Sequence, residues 1–477
     1  MTNILKKEWG KIADLASAIN AGETSAVANV KESLRLIDEA KEYNAVLHLT
    51  KTRALDRAKK IDELVKSSKS AGRLAGVPFI AKDNYLTFDT ETTAASNILA
   101  GFKAPYQATV IEKLEAEGAI MVAKANLDSF AHGGSTENSD FDPTKNAVDP
   151  ARVPGGSSGG SATAVALGLA PFALGSDTGG SIRQPASFSG IVGLKPSYGS
   201  VSRYGVVAMA SSTDCMGPMT ANTEDAALIY DVIAGQDTKD STTTPRKDNN
   251  YTKLSDSKLK IGVIKEHMSD GINKEVRSSI SEAVDKLKTD GHEVTEISIP
   301  ELEYSLACYY IIIPAEISSN LARYDGIRFG FSNRKDQDLE GLFNTTRAIG
   351  FNSENKRRIM IGNYVLSSGY YDAYYKRAQK VRTLLIKGFE KALEQVDVLV
   401  GPVTPNTAFK IGEKFNDPVA MYLEDLLTVG VSLAGLPAIS VPVSSAEGLP
   451  VGMQITGKYL DDKTVLSAAK TVQDLYA

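Results

Sequence analysis

Two glycine–serine turns constrain this chain more than any other feature. The first is Val153-Pro-Gly-Gly-Ser-Ser-Gly-Gly-Ser161 and the second is Ser176-Asp-Thr-Gly-Gly-Ser-Ile-Arg-Gln-Pro-Ala186. They fall within Gly155 to Gly217, a stretch that holds 13 of the chain's 39 glycines. Glycine gathers where backbone turns tightly or closely approaches a ligand, so this stretch predicts crowded turns around something to be bound.

Around that stretch, short apolar runs alternate with amphipathic segments. Gly76-Val-Pro-Phe-Ile-Ala-Lys-Asp83 reads as a buried strand ending in a loop. A helix over 108–117, a strand over 119–123 and a short helix over 127–131 follow it. Beyond a polar stretch at 237–257 the pattern predicts strands over 259–264, 293–297, 396–400, 438–443 and 451–456. Helices are expected over 274–289, 307–323, 372–393 and 419–434, and from Asp462 onward. The first seventy residues carry two helical stripes, Val30, Leu34 and Ile37, then Leu55, Ala58, Ile61 and Leu64. Such alternation predicts an α/β fold, a mixed central β-sheet covered by helices on both faces. Strands on either side of the polar stretch share one character, so a single domain over 1–477 is expected. Its parts are N-terminal helices (1–70), a core (71–236), a polar loop (237–257) and the remainder of the sheet with the substrate-binding part (258–477).

Composition narrows the function. Hydrophobic residues at 42% and charged residues at 23% are ordinary globular values that supply a large core. With 53 Lys+Arg against 58 Asp+Glu the net charge is −5, so no overall basic surface grips a phosphate backbone. Contact with nucleic acid must then be local or delegated to a partner. Cys215 and Cys308 cannot build a disulfide framework or a four-thiolate site, and His48, His132, His267 and His292 lack paired-ligand spacing. No metal is expected. The opening MTNILKKEWG has neither the apolar stretch nor the cleavage site of a secretory signal. Ala162 to Leu174, broken by Gly168 and Pro171, falls short of the ~20 residues of a membrane span. The expectation is a soluble cytoplasmic protein with no membrane contact.

The turns themselves carry the candidate chemistry. Gly156-Ser-Ser-Gly-Gly160 matches the nucleophile-elbow pattern only formally, because a polar segment with Pro150 stands where an elbow needs an apolar strand. No phosphate-loop G-x-x-x-x-G-K-[ST] occurs, and alone the segment reads as a tight turn before a helix. In the second turn, Thr178, Gly179, Gly180 and Ser181 follow a strand over 172–175 and precede a short helix. Their backbone N–H groups can converge as an oxyanion hole, with Ser181 as nucleophile. No histidine is placed as base, but a serine can be activated by a buried lysine. Lys82, at the end of its apolar run, is the candidate; the alternative is a lysine snorkelling outward from a strand end.

Together, Lys82, Ser157 and Ser181, with the stretches GGSSGGS and DTGGSIRQPA, resemble the amidase signature enzymes. The resemblance implies the amidase signature fold and a Ser–cis-Ser–Lys triad. In it, Ser181 is the nucleophile, Ser157 the bridging serine after a cis peptide and Lys82 the base. The N–H groups of Thr178, Gly179, Gly180 and Ser181 form the oxyanion hole. STENSDFDPTKN, GLKPSYGSVSRYGVVAMASSTDCMGPM, AEISSNLARYDGIRFG, KRRIMIGNYVLSSGYYDAYYKRAQKVRT and AMYLEDLL extend the resemblance over nearly the whole chain. They point to the branch of the family that hydrolyses glutamine for tRNA-dependent amidotransferases.

For that branch the resemblance implies that Tyr309, Arg358 and Asp425 hold free glutamine. The chemistry agrees, since a zwitterion needs a cation for its α-carboxylate and an anion for its α-ammonium. The ammonia would serve conversion of Glu-tRNA(Gln) to Gln-tRNA(Gln). The resemblance further implies no cofactor in this chain, ATP and Mg in a B subunit that also holds most of the tRNA, and a small C subunit completing a heterotrimer. A stand-alone amidase acting on another small amide is the alternative. One departure stands out: His132-Gly133-Gly134 replaces the more usual Met-Gly-Ser before Ser135-Thr-Glu-Asn, in a loop expected near the substrate.

Overall fold

A computed structural model of the chain describes residues 7–335 and 338–476. In chain order its strands are β1 (Val46–Leu49), β2 (Pro78–Lys82), β3 (Ile120–Ala125), β4 (Phe172–Asp177), β5 (Val192–Lys195) and β6 (Cys215–Thr220). They continue with β7 (Lys260–Ile264), β8 (Glu293–Ile297), β9 (Val398–Pro402), β10 (Ala438–Ala446) and β11 (Leu449–Gly457). All lie in one sheet, ordered β1-β3-β2-β4-β6-β5-β10-β11-β9-β7-β8. Parallel trios lie toward its two ends, β3–β2–β4, edged by antiparallel β1, and β9–β7–β8. The strands between them pair antiparallel. The sheet is therefore mixed, and strands from both sides of residues 237–257, which hold no helix or strand, share it.

Side-chain alternation along the strands assigns the faces. Phe79 and Ala81 of β2 enter one apolar layer with α1 (Ile12–Asn20), α4 (Thr109–Ala116), α7 (Thr223–Ile233), α8 (Lys274–Thr289) and α15 (Asp462–Asp474). Ile80 points the other way, into a layer with α2 (Ala26–Glu39), α3 (Lys51–Lys66), α5 (Gly159–Ala166) and α6 (Arg183–Ser189). Period two puts Lys82 on this second face, the one that carries both serine turns. Phe79 stacks on Phe172 of β4, centroids 5.1 Å apart, across the register that aligns β2 with β4. Farther along the second face, α9 (Ser305–Leu321), α12 (Lys376–Leu393) and α14 (Val429–Leu433) cover Leu399 and Ala438.

The remaining helices are α10 (Leu339–Gly350), α11 (Ser353–Leu366) and α13 (Pro418–Leu423). Side-chain caps fix where all three begin; ahead of α10, Asp338 accepts from Gly341 N. Asn352 accepts from Asn355 N ahead of α11, and Asp417 accepts from Val419 N and Ala420 N around Pro418. Helix α11 crosses α9 where Gly362 meets Pro314; a Cβ at 362 would overlap the Pro314 carbonyl oxygen. That close crossing sets Arg358, one turn earlier on α11, beside Tyr309 and Tyr310 of α9.

Two expected helices are corrected. The segment 419–434 is not continuous: α13 and α14 are separated by turns in which Leu426 N donates to Leu423 O and Thr428 N to Asp425 O. The Thr428 hydroxyl reaches out of this break to the Gly179 carbonyl, a tertiary bond that overrides the helical pattern. Over 127–131 only a 3-10 turn forms, Ser129–Ala131, because Phe130 and Ala131 take left-handed φ of 54° and 64°. Strands β1, β5 and β6 and helices α1, α7, α10 and α11 were not expected from the pattern. No helix among the described residues is long and apolar enough to cross a membrane.

Candidate active site

Lys82 ends β2 with no exposed surface. Its Nζ lies 2.8 Å from Ser157 Oγ, 2.8 Å from Ser158 Oγ, 3.0 Å from Ser176 Oγ and 3.3 Å from Ser176 O. All four neighbours are neutral oxygens. Burial pushes the amine down from its ordinary value to about 7, against the pull of Asp128, Asp177 and Asp214. At that value a large share of Lys82 is the free base at neutral pH. The lysine therefore points inward, and does not snorkel.

Ser157 follows a cis Gly156–Ser157 peptide and stands just ahead of α5. Ser181 stands just ahead of α6 at 8% exposure, and among the described residues its hydroxyl has no hydrogen-bond partner. Ser158 N donates to Ser181 O at 3.2 Å and joins the two turns directly. Among the described residues, the N–H groups of Gly179, Gly180 and Ser181 have no protein acceptor, so they remain available to an anion. The turn is held from three sides. Asp177 accepts from Ile182 N and from Arg183 Nε and Nη2; Thr178 Oγ1 donates to Asp214; and Thr428 Oγ1 donates to Gly179 O. Arg183 is fully buried and also donates to Thr428 O and Gln454 Oε1. Against the upward push of burial, it holds the Asp177 carboxyl below its ordinary range.

A second polar cluster lies beyond the oxyanion turn. Arg358, 3% exposed, donates from Nε to Glu354 Oε1 at 2.8 Å, while Glu354 also pairs with Arg357. Among the described residues neither Nη group of Arg358 has an acceptor. Asp425 sits in the break between α13 and α14 and accepts from the Tyr310 hydroxyl at 2.7 Å. No ion pair joins Asp425 to Arg358 or to any other described cation. Burial lifts the Asp425 carboxyl to about 7, opposed by the Tyr310 hydroxyl and the Arg358 charge. Among the described residues Tyr309 makes no hydrogen bond to Asp425: its ring meets Tyr310 edge-on at 5.1 Å, and its hydroxyl occupies the space a Cβ at Gly179 would need. A pocket of about 130 Å³ opens beside Arg358, lined by Gly133, Asn138, Glu354, Met421 and Tyr422 among others.

The loop from His132 to Gly134 borders both clusters. His132 is buried, and its Nδ1 lies 2.8 Å from Asn355 Nδ2, one turn before Arg358 on α11. Burial, then the Arg358 charge, pushes this imidazole well below its ordinary value, so it is neutral. Asp128 accepts from Thr136 N and Asn138 N and so closes the loop against the first serine turn. Sequence reasoning missed Ser158 and Ser176, although both stand inside the quoted motifs. It also missed Asp128, Glu354, Tyr310 and Tyr422; of these, Tyr310, adjacent to Tyr309, and Tyr422, inside AMYLEDLL, carried a signal.

The family model described as Amidase matches residues 28–466. The A subunit of the glutamyl-tRNA(Gln) amidotransferase of Thermoanaerobacter pseudethanolicus is 52% identical over 462 residues, which cover 96% of this chain and 94% of that protein. Its counterpart in Staphylococcus epidermidis is 49% identical, covering 98% and 97%. Among solved structures, the A subunit of the Thermotoga maritima glutamyl-tRNA(Gln) amidotransferase superposes with a TM-score of 0.80 at 39% identity, covering 98% of this chain and 96% of that one. A peptide amidase bound to the competitive inhibitor chymostatin gives 0.84 at 28% identity, covering 98% and 97%. With a family match spanning most of its length and relatives half identical throughout, the chain belongs to the amidase family.

Proposed function

We propose that the chain hydrolyses the side-chain amide of glutamine and delivers the ammonia as the A subunit of a tRNA-dependent amidotransferase. One observation carries this reading: a serine–lysine corner with no contacting carboxylate among the described residues lies beside a buried cation and a half-buried carboxylate that are not paired with each other. A simple amide needs only the first, whereas the α-carboxylate and α-ammonium of an amino acid match the second. The names borne by the half-identical relatives support the same assignment.

In this mechanism Ser181 Oγ attacks the amide carbon as its proton passes to Ser157 Oγ, and the Ser157 proton passes to the free amine of Lys82. The N–H groups of the 178–181 turn stabilise the oxyanion. Collapse returns the proton through Ser157 to the departing nitrogen, releasing NH₃ and leaving a γ-glutamyl ester on Ser181. Water then attacks the ester by the same proton route, and glutamate leaves. Arg358 and Asp425 hold the α-carboxylate and α-ammonium, and Tyr309, whose hydroxyl lies against Gly179 of the oxyanion turn, completes the glutamine-binding set.

Ammonia released into neutral water becomes mostly ammonium, which is no nucleophile. A supplier of ammonia therefore works docked to its consumer, and the proposed partners are B and C subunits in a cytoplasmic heterotrimer. ATP, Mg and most tRNA contact belong to the B subunit in this proposal, which suits the acidic net charge here. The test is glutamine hydrolysis by the chain alone and after adding the B and C subunits, glutamyl-tRNA and ATP. Activity that rises on assembly is expected; full activity from a monomer that binds neither partner overturns it in favour of a stand-alone amidase.

A further inference from the structure

The two charges of the recognition cluster are not held independently. Tyr310 and Tyr422 stack with ring centroids 4.0 Å apart and planes at 21°. The Tyr310 hydroxyl donates to Asp425 Oδ2 at 2.7 Å, and the Tyr422 hydroxyl donates to Glu354 Oε1 at 3.0 Å. Glu354 Oε1 is the atom that also receives Arg358 Nε, and the Arg358 guanidinium carbon lies 5.4 Å from each ring centroid. One continuous chain of contacts thus runs Asp425, Tyr310, Tyr422, Glu354, Arg358. It draws on α9, α11, α13 and the turn after α13.

We infer that the stacked Tyr310–Tyr422 pair determines specificity by fixing the separation and orientation of Asp425 and Arg358, so that the site prefers an amide carrying both α-charges. The inference rests on the glutamine reading. Both tyrosines are positioning residues, each acting through the charged group it touches. Tyr310 presents the anion: its hydroxyl occupies Oδ2 and leaves Oδ1, which faces Gly134, for the ligand. Tyr422 presents the cation: it steadies the carboxylate that holds Arg358 by Nε and leaves the Nη edge free. The rings are the spacer between them, since an aromatic pair prefers a defined offset-stacked or edge-to-face geometry.

The electrostatics of Asp425 supply an independent readout. Facing it are Tyr309 and Tyr310 from α9, Arg358 from α11, Asp177 from β4 and its own neighbour Glu424. Among these, the Tyr310 hydroxyl is a direct hydrogen-bond donor to the carboxylate, so its removal shifts ionisation of Asp425 to higher pH.

The experiment compares glutamine with two truncated amides, glutaric acid monoamide, which lacks the α-ammonium, and 4-aminobutyramide, which lacks the α-carboxylate. In Tyr310→Phe, glutamine kcat/KM falls about 10- to 100-fold, carried by KM with kcat nearly held. Its preference for glutamine over glutaric acid monoamide collapses accordingly, and the pH at which KM begins to rise on acidification moves upward. In Tyr422→Phe the preference over 4-aminobutyramide shrinks instead, and in Tyr422→Leu, which also unstacks the rings, both preferences shrink. Melting temperatures within a few degrees of wild type check the fold. Equal losses on all three amides, or unchanged preferences in a wild type that favours glutamine, overturn the inference alone. A wild-type enzyme with no preference for glutamine overturns the glutamine reading and this inference with it.

Discussion

Two buried cations face this site, and burial acts on both in the same direction. Lys82 is ringed by hydroxyls and a carbonyl, has no contacting carboxylate among the described residues, and drops to about 7. Arg358 is as deeply buried, but Glu354 lies 2.8 Å from its Nε and holds its charge firmly in place. A base has to surrender its proton and a recognition cation must never do so. The two ends of the site thus differ in the cation itself, a lysine that burial can deprotonate against an arginine that stays charged, and in the carboxylate that contacts only the second.

The largest effects should come from restoring charge, or removing the nucleophile, at the lysine end. Ser181→Ala should lower glutamine kcat by about 10⁴-fold or more, and Lys82→Arg by about 10³-fold, in proteins that still fold. Arginine keeps the positive charge but stays protonated, so it tests whether neutrality or charge is what the corner requires. Normal kcat in Lys82→Arg, measured by ammonia release, removes the contrast between the two cations altogether.

Next in size are changes at the recognition end. Arg358→Ala and Asp425→Asn should each lower glutamine kcat/KM by about 10²-fold, with a much smaller loss on an uncharged activated ester. Arg358→Ala should also lower the melting temperature, because buried Glu354 loses one of its two cations and keeps only Arg357 and the Tyr422 hydroxyl. Equal loss on glutamine and ester would assign both residues to structure and none to substrate choice.

The pH profile sharpens the comparison further. Lys82 must lose a proton and Asp425 must be ionised, and both titrate at about 7. Both requirements make activity rise with pH. Acidification through this range should therefore lower log kcat/KM with a limiting slope of about two for glutamine and about one for an uncharged ester, which senses Lys82 only. Identical slopes for the two substrates would detach Asp425 from recognition.

The same contrast explains what could be read in advance. Lys82, Ser157 and Ser181 lie at the end of an apolar strand and in two glycine-rich turns, local features that a sequence displays. The α8 span falls at 274–289, because its buried face, chiefly Val276, Ile280, Ala283, Val284 and Leu287, is apolar and periodic. Helix α11 gave no such signal: its buried face is Glu354, Asn355, Arg358, Gly362 and Val365, mostly polar residues that hydrophobic periodicity cannot register. Strands β5 and β6 carry Gly193, Lys195, Gly217 and Pro218, which weaken any strand pattern. Asp425 was legible as a charge but not as a turn residue, since the break in its helix depends on Thr428 meeting a carbonyl from a segment far away in the chain. Tyr310, Tyr422 and Glu354 act through partners supplied only by tertiary packing.

The smallest predicted effect lies where the two ends meet. A Cβ at Gly134 would stand 3.5 Å from Gln184 Nε2 and 3.8 Å from both Asp425 Oδ1 and Met421 Sδ, ordinary contact distances, and Gly134 is not held at positive φ. Gln184 Nε2 is buried without a partner among the described residues, while its Oε1 accepts from Gly156 N in the first serine turn. Gly134→Ser therefore places a hydroxyl able to accept from Gln184 and donate to Asp425. Satisfying a buried orphan donor is worth about 1 kcal/mol, a rise on the order of 1–2 °C in melting temperature for a chain of this size. Donation to Asp425 favours its ionised form, so the pH rise in glutamine kcat/KM should move slightly downward while hydrolysis of the uncharged ester keeps its midpoint. A lowered melting temperature would mean that the loop cannot admit the side chain. An equal shift of both midpoints would mean that the hydroxyl acts on Lys82, and that the two ends of the site are less separate than their charges suggest.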